Sequence, residues 1–262
     1  IINQTTNPTL NPDDITRALT QVTDAKNSLN GEAKLATEKQ NAKDAVSGMT
    51  HLNDAQKQAL KGQIDQSPEI ATVNQVKQTA TSLDHAMDQL SQAINDKAQT
   101  LADGNYLNAD PDKQNAYKQA VAKAEALISG TPDVVVTPSE ITAALNKVTQ
   151  AKNDLNGNTN LATTKQNVQH AIDQLPNLNQ AQRDEYSKQI TQATLVPNVN
   201  AIQQALTKVN DTNQALNGNQ KLADAKQAAK TNLGTLDHLN DAQKQALTTQ
   251  VEQAPDIATV NN

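Results

Sequence analysis

The sequence predicts an all-α chain of tandem three-helix bundles, joined end to end by a shared long helix and tight Asn-Gly joints into an elongated rod. Three observations carry that prediction. The ten residues from His51 to Leu60 recur unchanged at His238 to Leu247 and in altered form from Asn177 to Tyr186, so the chain is a repeat protein. Apolar residues recur at spacings of three and four throughout, which is the period of an amphipathic helix. Prolines, asparagines and single glycines stand where such helices would start and stop.

The repeat has two lengths. Leu52 and Leu178 are 126 residues apart, whereas Leu178 and Leu239 are only 61 apart, so a long unit is followed by a shorter one with the same beginning. Residues 1–29 match 127–155 at the long offset, with Ile15, Leu19, Val22, Ala25, Lys26 and Leu29 falling on Ile141, Leu145, Val148, Ala151, Lys152 and Leu155. The chain therefore opens with the last helix of a unit and reads as a piece of a longer array. In both copies a proline stands at the first helical position, at Asn11-Pro12 and Thr137-Pro138, and Thr137 with Glu140 has the spacing of a capping box. Each of these helices runs into Leu-Asn-Gly, at 29–31, 155–157 and 216–218, where glycine is expected to take the left-handed conformation that ends a helix. A heptad continued from Leu155 would call for a core residue at Ala162, but the large side chain is Leu161, so the apolar phase also places a joint there.

After the joint, the first helix of a bundle carries Leu35, Ala42, Val46 and Met49 on one face, matched by Leu161, Val168, Ile172 and Leu175 and by Leu222, Ala229, Leu233 and Leu236. The second starts at Asn53, Asn179 or Asn240, each with glutamine three residues on at Gln56, Gln182 and Gln243. Its inward residues are Leu60 and Ile64, Tyr186 and Ile190, and Leu247 and Val251. A break near Pro68, Pro197 or Pro255 precedes the third helix. In the short unit the third helix runs from about residue 198 through Ile202, Leu206, Val209 and Leu216. In the long unit Val73, Val76, Ala80, Leu83, Met87, Leu90 and Ile94 keep helical spacing, and no Gly or Pro follows until Gly104. One helix over 70–101 would span roughly 45 Å, too long for one small bundle, so its second half is expected to serve a second bundle. That bundle continues with Asp110-Pro111, then Tyr117, Val121, Ala124 and Ile128, and closes with a helix over 138–155.

Asp112 to Tyr117 with Val121 resemble the FIVAR module of cell-wall-associated proteins. The Leu-Asn-Gly joint, the stretch Leu52 to Leu60 and Ala71-Thr72-Val73-Asn74 resemble the GA module, a three-helix bundle of albumin-binding bacterial surface proteins. Their alternation is similar to that in the giant extracellular matrix-binding proteins of Gram-positive cocci. The resemblance divides the chain into a last FIVAR-like helix at 1–29, a GA-like bundle at 30–90, a FIVAR-like bundle at 91–155 sharing the helix 70–101, a GA-like bundle at 156–216 and a partial one at 217–262. It also implies a cell-surface protein, anchored to the cell wall by regions outside this chain and attached to fibronectin or another host matrix or plasma protein, or to a cell-wall polymer. The expected role is a monomeric, rod-like spacer and adhesin, with specific albumin-type binding as the alternative.

Composition agrees with that role. The chain has no cysteine, Phe or Trp and three tyrosines, so its cores are thin and aliphatic, and disulfides and thiolate chemistry are excluded. A net charge of −6 without a basic cluster argues against nucleic acid. No signal peptide, membrane-spanning run or lipidation motif stands in the sequence. His51, His85, His170 and His238 have no zinc-ligand spacing, and Asn177 replaces histidine in one copy, so a solvated or capping role is expected for His51 and His238. Asp110 and Asp112 lack the glycine and glutamate of a calcium loop and are expected to cap a helix, like Asp13 and Asp14. Tyr186 replaces the leucine of the other copies and is expected in the core. No nucleophile elbow or Gly-rich phosphate loop is present. The expectation is a non-enzymatic segment with no catalytic, cofactor or metal site.

Overall fold

The computed structural model describes residues 1–3, 6, 8–216 and 218–262, and every regular element among them is helical. The chain divides into two compact units: residues 1–99 with 115–154, and residues 100–114 with 155–262.

In the first unit, α1 (Pro12–Asn27) precedes α2 (Gly31–Ser47), α3 (Asp54–Gln66) and α4 (Ile70–Ile94). Helices α2, α3 and α4 pack on one another as a bundle, and Ala42, Val46, Leu60, Ile64, Val73, Ala80 and Leu83 form its buried interior. Each such leucine or isoleucine contributes roughly 1.5–3 kcal/mol by leaving water, which is how a core without Phe or Trp holds. The same α4 also packs along α8 (Pro138–Asn153), so it serves two bundles as the apolar spacing predicts. Met87 and Leu90 on α4 and Ile141, Ala144 and Val148 on α8 are buried, as are Tyr117, Val121, Ala124 and Leu127 of α7 (Pro111–Ser129). Leu127, and not the expected Ile128, is the last buried residue of α7.

The helix expected over 70–101 is divided. Helix α4 ends at Ile94, where the Asn95 N–H turns back to the Gln92 carbonyl, and α5 (Lys97–Ala102) begins after Asp96. Asn and Asp are both weak helix formers because their side chains compete for backbone groups, and the Asp96 carboxylate is drawn to Lys152 of α8.

In the second unit, α6 (Gly104–Leu107) is followed by α9 (Gly157–Asp173), α10 (Gln180–Gln192) and α11 (Val196–Leu216). These three longer helices enclose Val168, Ile172, Leu178, Ile190, Val199 and Leu206, and Tyr186, expected in the core, packs against them only partly buried. Helix α11 starts two residues before the expected point and takes Pro197 into its first turn, where a missing N–H costs nothing. A last group, α12 (Gly218–Gly234), α13 (Asp241–Gln253) and the short α14 (Ile257–Asn261), packs the same way with a thinner interior.

Repeated local chemistry fixes the helix ends. Asn53, Asn179 and Asn240 each accept from the third helical N–H while Gln56, Gln182 and Gln243 accept from the cap N–H, giving three complete capping boxes. Lys39, Lys165 and Lys226 reach across from the first helix of each bundle and donate to a last-turn carbonyl of the second, at Asp65, Thr191 and Glu252, all at 2.8 Å. A cation at a helix C-terminus also meets the negative end of its dipole. Thr137 forms no side-chain cap, since the Glu140 N–H goes to its backbone carbonyl instead.

The Asn-Gly joints do not end helices by a left-handed glycine. Gly31 and Gly157 are the first residues of α2 and α9, and the preceding helices end at Asn27 and Asn153 with right-handed caps at Ser28 and Asp154. The positive-φ glycine is Gly130, at 75°, after α7. In the third copy Gly218 likewise leads α12, while Asn217 lies outside the described residues.

Candidate functional surfaces and joints

Among the described residues, three of the places where polar side chains from distant parts of the sequence meet bear on function. The first lies in the first unit, where the loop after α7 covers the capping box of α3. Asn53 Nδ2 donates to the Leu127 and Ile128 carbonyls at 3.3 and 3.2 Å, and Gly130 stands so close that a Cβ there would sit 2.9 Å from Asn53 Nδ2. Gln56 is fully buried and donates to the Val135 carbonyl at 2.8 Å, with Met87 Sδ beside it. The capping box thus does two jobs, closing α3 and receiving the α7–α8 connection. In the second unit the equivalent Gln182 has no such cover, and Asn213, at the position of Met87, donates to it at 3.1 Å.

The second place surrounds His51. Its backbone N–H donates to Asp84 Oδ1 at 2.9 Å, its Nδ1 lies 3.1 Å from Asp84 Oδ2, and its Nε2 lies 3.3 Å from Asp88 Oδ1. His51 is therefore not merely solvated or capping, as expected; it ties the α2–α3 loop to two successive turns of α4. The hydrogen bond to Asp84 raises its pKa above the ordinary value, partial desolvation opposes this, and the charges of Asp84 and Asp88 add to it. Asn177 and Asn210 make the same backbone tie at 3.0 Å without an ionisable group. Sequence periodicity could have found this: Asp84 and Asp88 are one turn apart, and both positions are uncharged in the next copy, at Asn210 and Gln214.

The third place joins α6 and the following loop to α9. Asp110 accepts from Asn156 Nδ2 at 2.8 Å and Asn160 Nδ2 at 3.0 Å, and its own N–H donates to Asn156 Oδ1 at 2.9 Å. Those two amide donors hold its carboxyl below the usual range, against partial desolvation and with help from Lys113. Asp110 stands at the start of α7, where it was expected, its carbonyl accepting from the Lys113 and Gln114 N–H groups at 3.0 Å, while its carboxylate is engaged by these asparagines and not by the helix. Asn108 extends the network, donating to the Thr194 carbonyl at 2.9 Å and accepting from the Val196 N–H at 2.8 Å. Gly157 completes it, because a Cβ there would lie 2.6 Å from the Gly104 carbonyl oxygen and closer still to that of Asn105. In a chain so rich in asparagine, residue type alone could not single these out.

None of the three places has the form of a reaction centre. Among the described residues no group of three His, Asp or Glu could hold a metal ion, and no helix is long and apolar enough to cross a membrane. A cleft of about 670 Å³ lies among α12, α13 and α14 and is lined by Ala229, Leu233, Leu247 and Val251 among others. Their counterparts in the first bundle, Ala42, Val46, Leu60 and Ile64, are core residues packed against α4. The cleft is a bundle interior and not a ligand pocket.

Comparison with known proteins follows the same modular lines. The FIVAR domain model matches residues 1–30 and 86–156, and the GA module model matches 32–86, 158–212 and 219–262. The chain is 63% identical to the extracellular matrix-binding protein ebh of Staphylococcus aureus strain MRSA252, over 95% of this chain and 3% of that protein. It is 62% identical to EbhA of strain Newman, over 95% of this chain and 9% of the relative. A crystal structure of an EbhA segment from S. aureus matches with a TM-score of 0.70 at 42% identity, covering 76% of this chain and 80% of that one. The chain thus spans a few per cent of the length of its curated relatives, and its modules are those of matrix-binding repeat proteins and not of enzymes. With both module models matched in alternation and this identity over nearly its whole length, the chain belongs to the Ebh family of extracellular matrix-binding proteins built from GA and FIVAR modules.

Proposed function

We propose that this chain is a spacer and adhesive segment of a giant surface protein, holding matrix-binding regions away from the cell wall and contributing contacts of its own. The observation that carries this reading is α4, one helix packed into two successive bundles. A shared helix leaves no flexible linker between them, which is what a chain needs if its work is reach. The proposed modules are a last FIVAR-like helix at 1–29, bundles at 30–90, 91–155 and 156–216, and a partial bundle at 217–262. The proposed location is the cell surface, with the anchor in regions outside this chain, and the proposed working form is a monomeric rod.

Fibronectin is the host ligand that the family resemblance puts first, and albumin is the ligand that the GA modules put second. The exposed side of α3 offers Asp54 and Gln58, with Lys57 half-buried beside them, and little apolar surface for a plasma protein. Purified chain immobilised and exposed separately to fibronectin, albumin and isolated cell-wall polymer tests the reading. Weak, salt-sensitive attachment to fibronectin or to cell-wall polymer supports it. Albumin binding with Kd below about 1 μM, worth roughly 8 kcal/mol, would replace the spacer by a specific plasma-protein receptor.

A further inference from the structure

Asn30-Gly31 and Asn156-Gly157 are the same repeat position, and their backbones agree closely: φ −123° and ψ 19° at Asn30, φ −118° and ψ 18° at Asn156. Asn-Gly is also the dipeptide most open to intramolecular attack on the asparagine side chain, because glycine has no side chain to shield its nitrogen. As the first residue of a helix, each glycine has a backbone N–H with no partner inside that helix. Sequence, dihedral angles and helix position are thus matched, and only the surroundings differ.

Those surroundings differ sharply. At Asn156 the side-chain amide is tied from both ends, Oδ1 accepting from the Asp110 N–H and Nδ2 donating to Asp110 Oδ2, with Asn160 Nδ2 3.3 Å from the same Oδ1. Gly157 itself is buried beneath the backbone of Gly104 and Asn105, and the next N–H, of Asn158, is held by Asn105 Oδ1 at 3.0 Å. At Asn30 the side chain makes no capping bond and is exposed, and nothing lies within 4 Å of the position a Cβ would take at Gly31.

We infer that Asn30 is a site of spontaneous deamidation and isoaspartate formation, and that packing of the α6 segment on α9 protects the equivalent joint at Asn156. In the reaction the Gly31 backbone nitrogen gives its proton to solvent base and attacks Asn30 Cγ. The Cγ–Nδ2 bond breaks, ammonia leaves with a proton from water, and a five-membered succinimide remains. Water then opens either carbonyl of the ring, giving aspartate or isoaspartate; the net change is addition of one water and loss of one ammonia. At Asn156 the amide cannot swing onto the glycine nitrogen without breaking its ties to Asp110, and solvent base cannot reach Gly157. Isoaspartate at residue 30 would add a backbone carbon between α1 and α2, so an exposed joint would change with age and a covered one would not.

The test is peptide mapping by mass spectrometry, with isoaspartate detection, on the intact chain held in mildly alkaline buffer at physiological temperature. Conversion at Asn30 should run at least about tenfold faster than at Asn156. Gly31→Ala should suppress conversion at Asn30, which separates succinimide chemistry from general damage. Asp110→Ala should raise the rate at Asn156 toward that at Asn30, and Asn160→Ala, which leaves Asp110 in place, should give an intermediate rate. Circular dichroism on each variant confirms that helix content is kept. Equal rates at Asn30 and Asn156 in the unaltered chain would overturn the inference, and so would an unchanged rate at Asn156 in a folded Asp110→Ala chain.

Discussion

Gly157 leads α9 so close to Asn105 that a Cβ there would collide with the Asn105 carbonyl oxygen. The equivalent Gly31 faces open space. Gly157→Ala should therefore push the α6 segment off α9 and cost roughly 1–3 kcal/mol, the usual penalty of overpacking. Gly31→Ala should be neutral or stabilise by up to about 1 kcal/mol, since alanine is the better helix former. Thermal melts of the two variants decide the matter, and equal shifts would show that the close approach has no energetic weight.

Ile15 and Ile141 make a second matched pair. Ile15 on α1 is 52% exposed and Ile141 on α8 is fully buried, although both stand at one repeat position. Leu19 and Val22 are exposed with Ile15, so α1 shows its apolar stripe to solvent. Ile141→Ala should cost about 2–5 kcal/mol, and Ile15→Ala should stay within about 0.5 kcal/mol. Amides of α1 should also exchange among the fastest of any helix, measured by hydrogen exchange. Strong protection of α1, or a large loss from Ile15→Ala, would show that its apolar face is covered in solution.

Gln56 and Gln182 close the same capping box, but only Gln56 is buried under the α7–α8 connection. Gln182→Ala should cost about 1 kcal/mol as a lost cap. Gln56→Ala also leaves the Val135 carbonyl without its donor and should cost a further 1–3 kcal/mol or so. Exchange at residues 127–135 should speed up in the second case and not in the first.

His51 gives the first bundle a pH-sensitive tie that Asn177 replaces with a non-ionisable one in the second. Because its folded pKa is raised above the ordinary 6.5, its contribution is fully present below that value and is lost as pH rises through the folded pKa. The first bundle should therefore be slightly less stable at pH about 8.5 than at pH about 6. His51→Asn combined with Asp84→Asn, which installs the pair seen at Asn177 and Asn210, should remove that difference. Asp110 has the opposite sign: its folded pKa is lowered, so its contribution is present above the ordinary 3.8 and is lost as pH falls through the folded value. Exchange at the Asn158 amide should accelerate, relative to neighbouring helix amides, in acid. NMR titration of His51 and Asp110 checks both directions.

Much of this was legible in the sequence because it is local. The capping asparagines and glutamines, the apolar faces of α2, α3 and α9, and the double use of α4 follow from spacing alone. What escaped depends on which distant segment arrives. Nothing local distinguishes Gly31 from Gly157, or Gln56 from Gln182; the difference is whether the α6 segment or the α7–α8 connection lies on top. The break after Ile94 escaped because the apolar phase runs into it without a flaw, while two residues of weak helix propensity, Asn95 and Asp96, ended the helix. The lysine ties from Lys39, Lys165 and Lys226 could have been found, since they recur at the repeat offsets, but an exposed lysine gives no sign of the carbonyl it will meet.

Small-angle X-ray scattering on the intact chain, at low concentration and physiological salt, tests the spacer account most directly. With bundles contributing roughly 20–30 Å each along the chain, the account predicts a maximum dimension on the order of 100 Å or more. A radius of gyration near 18 Å, the value for a compact globule of this length, would contradict it.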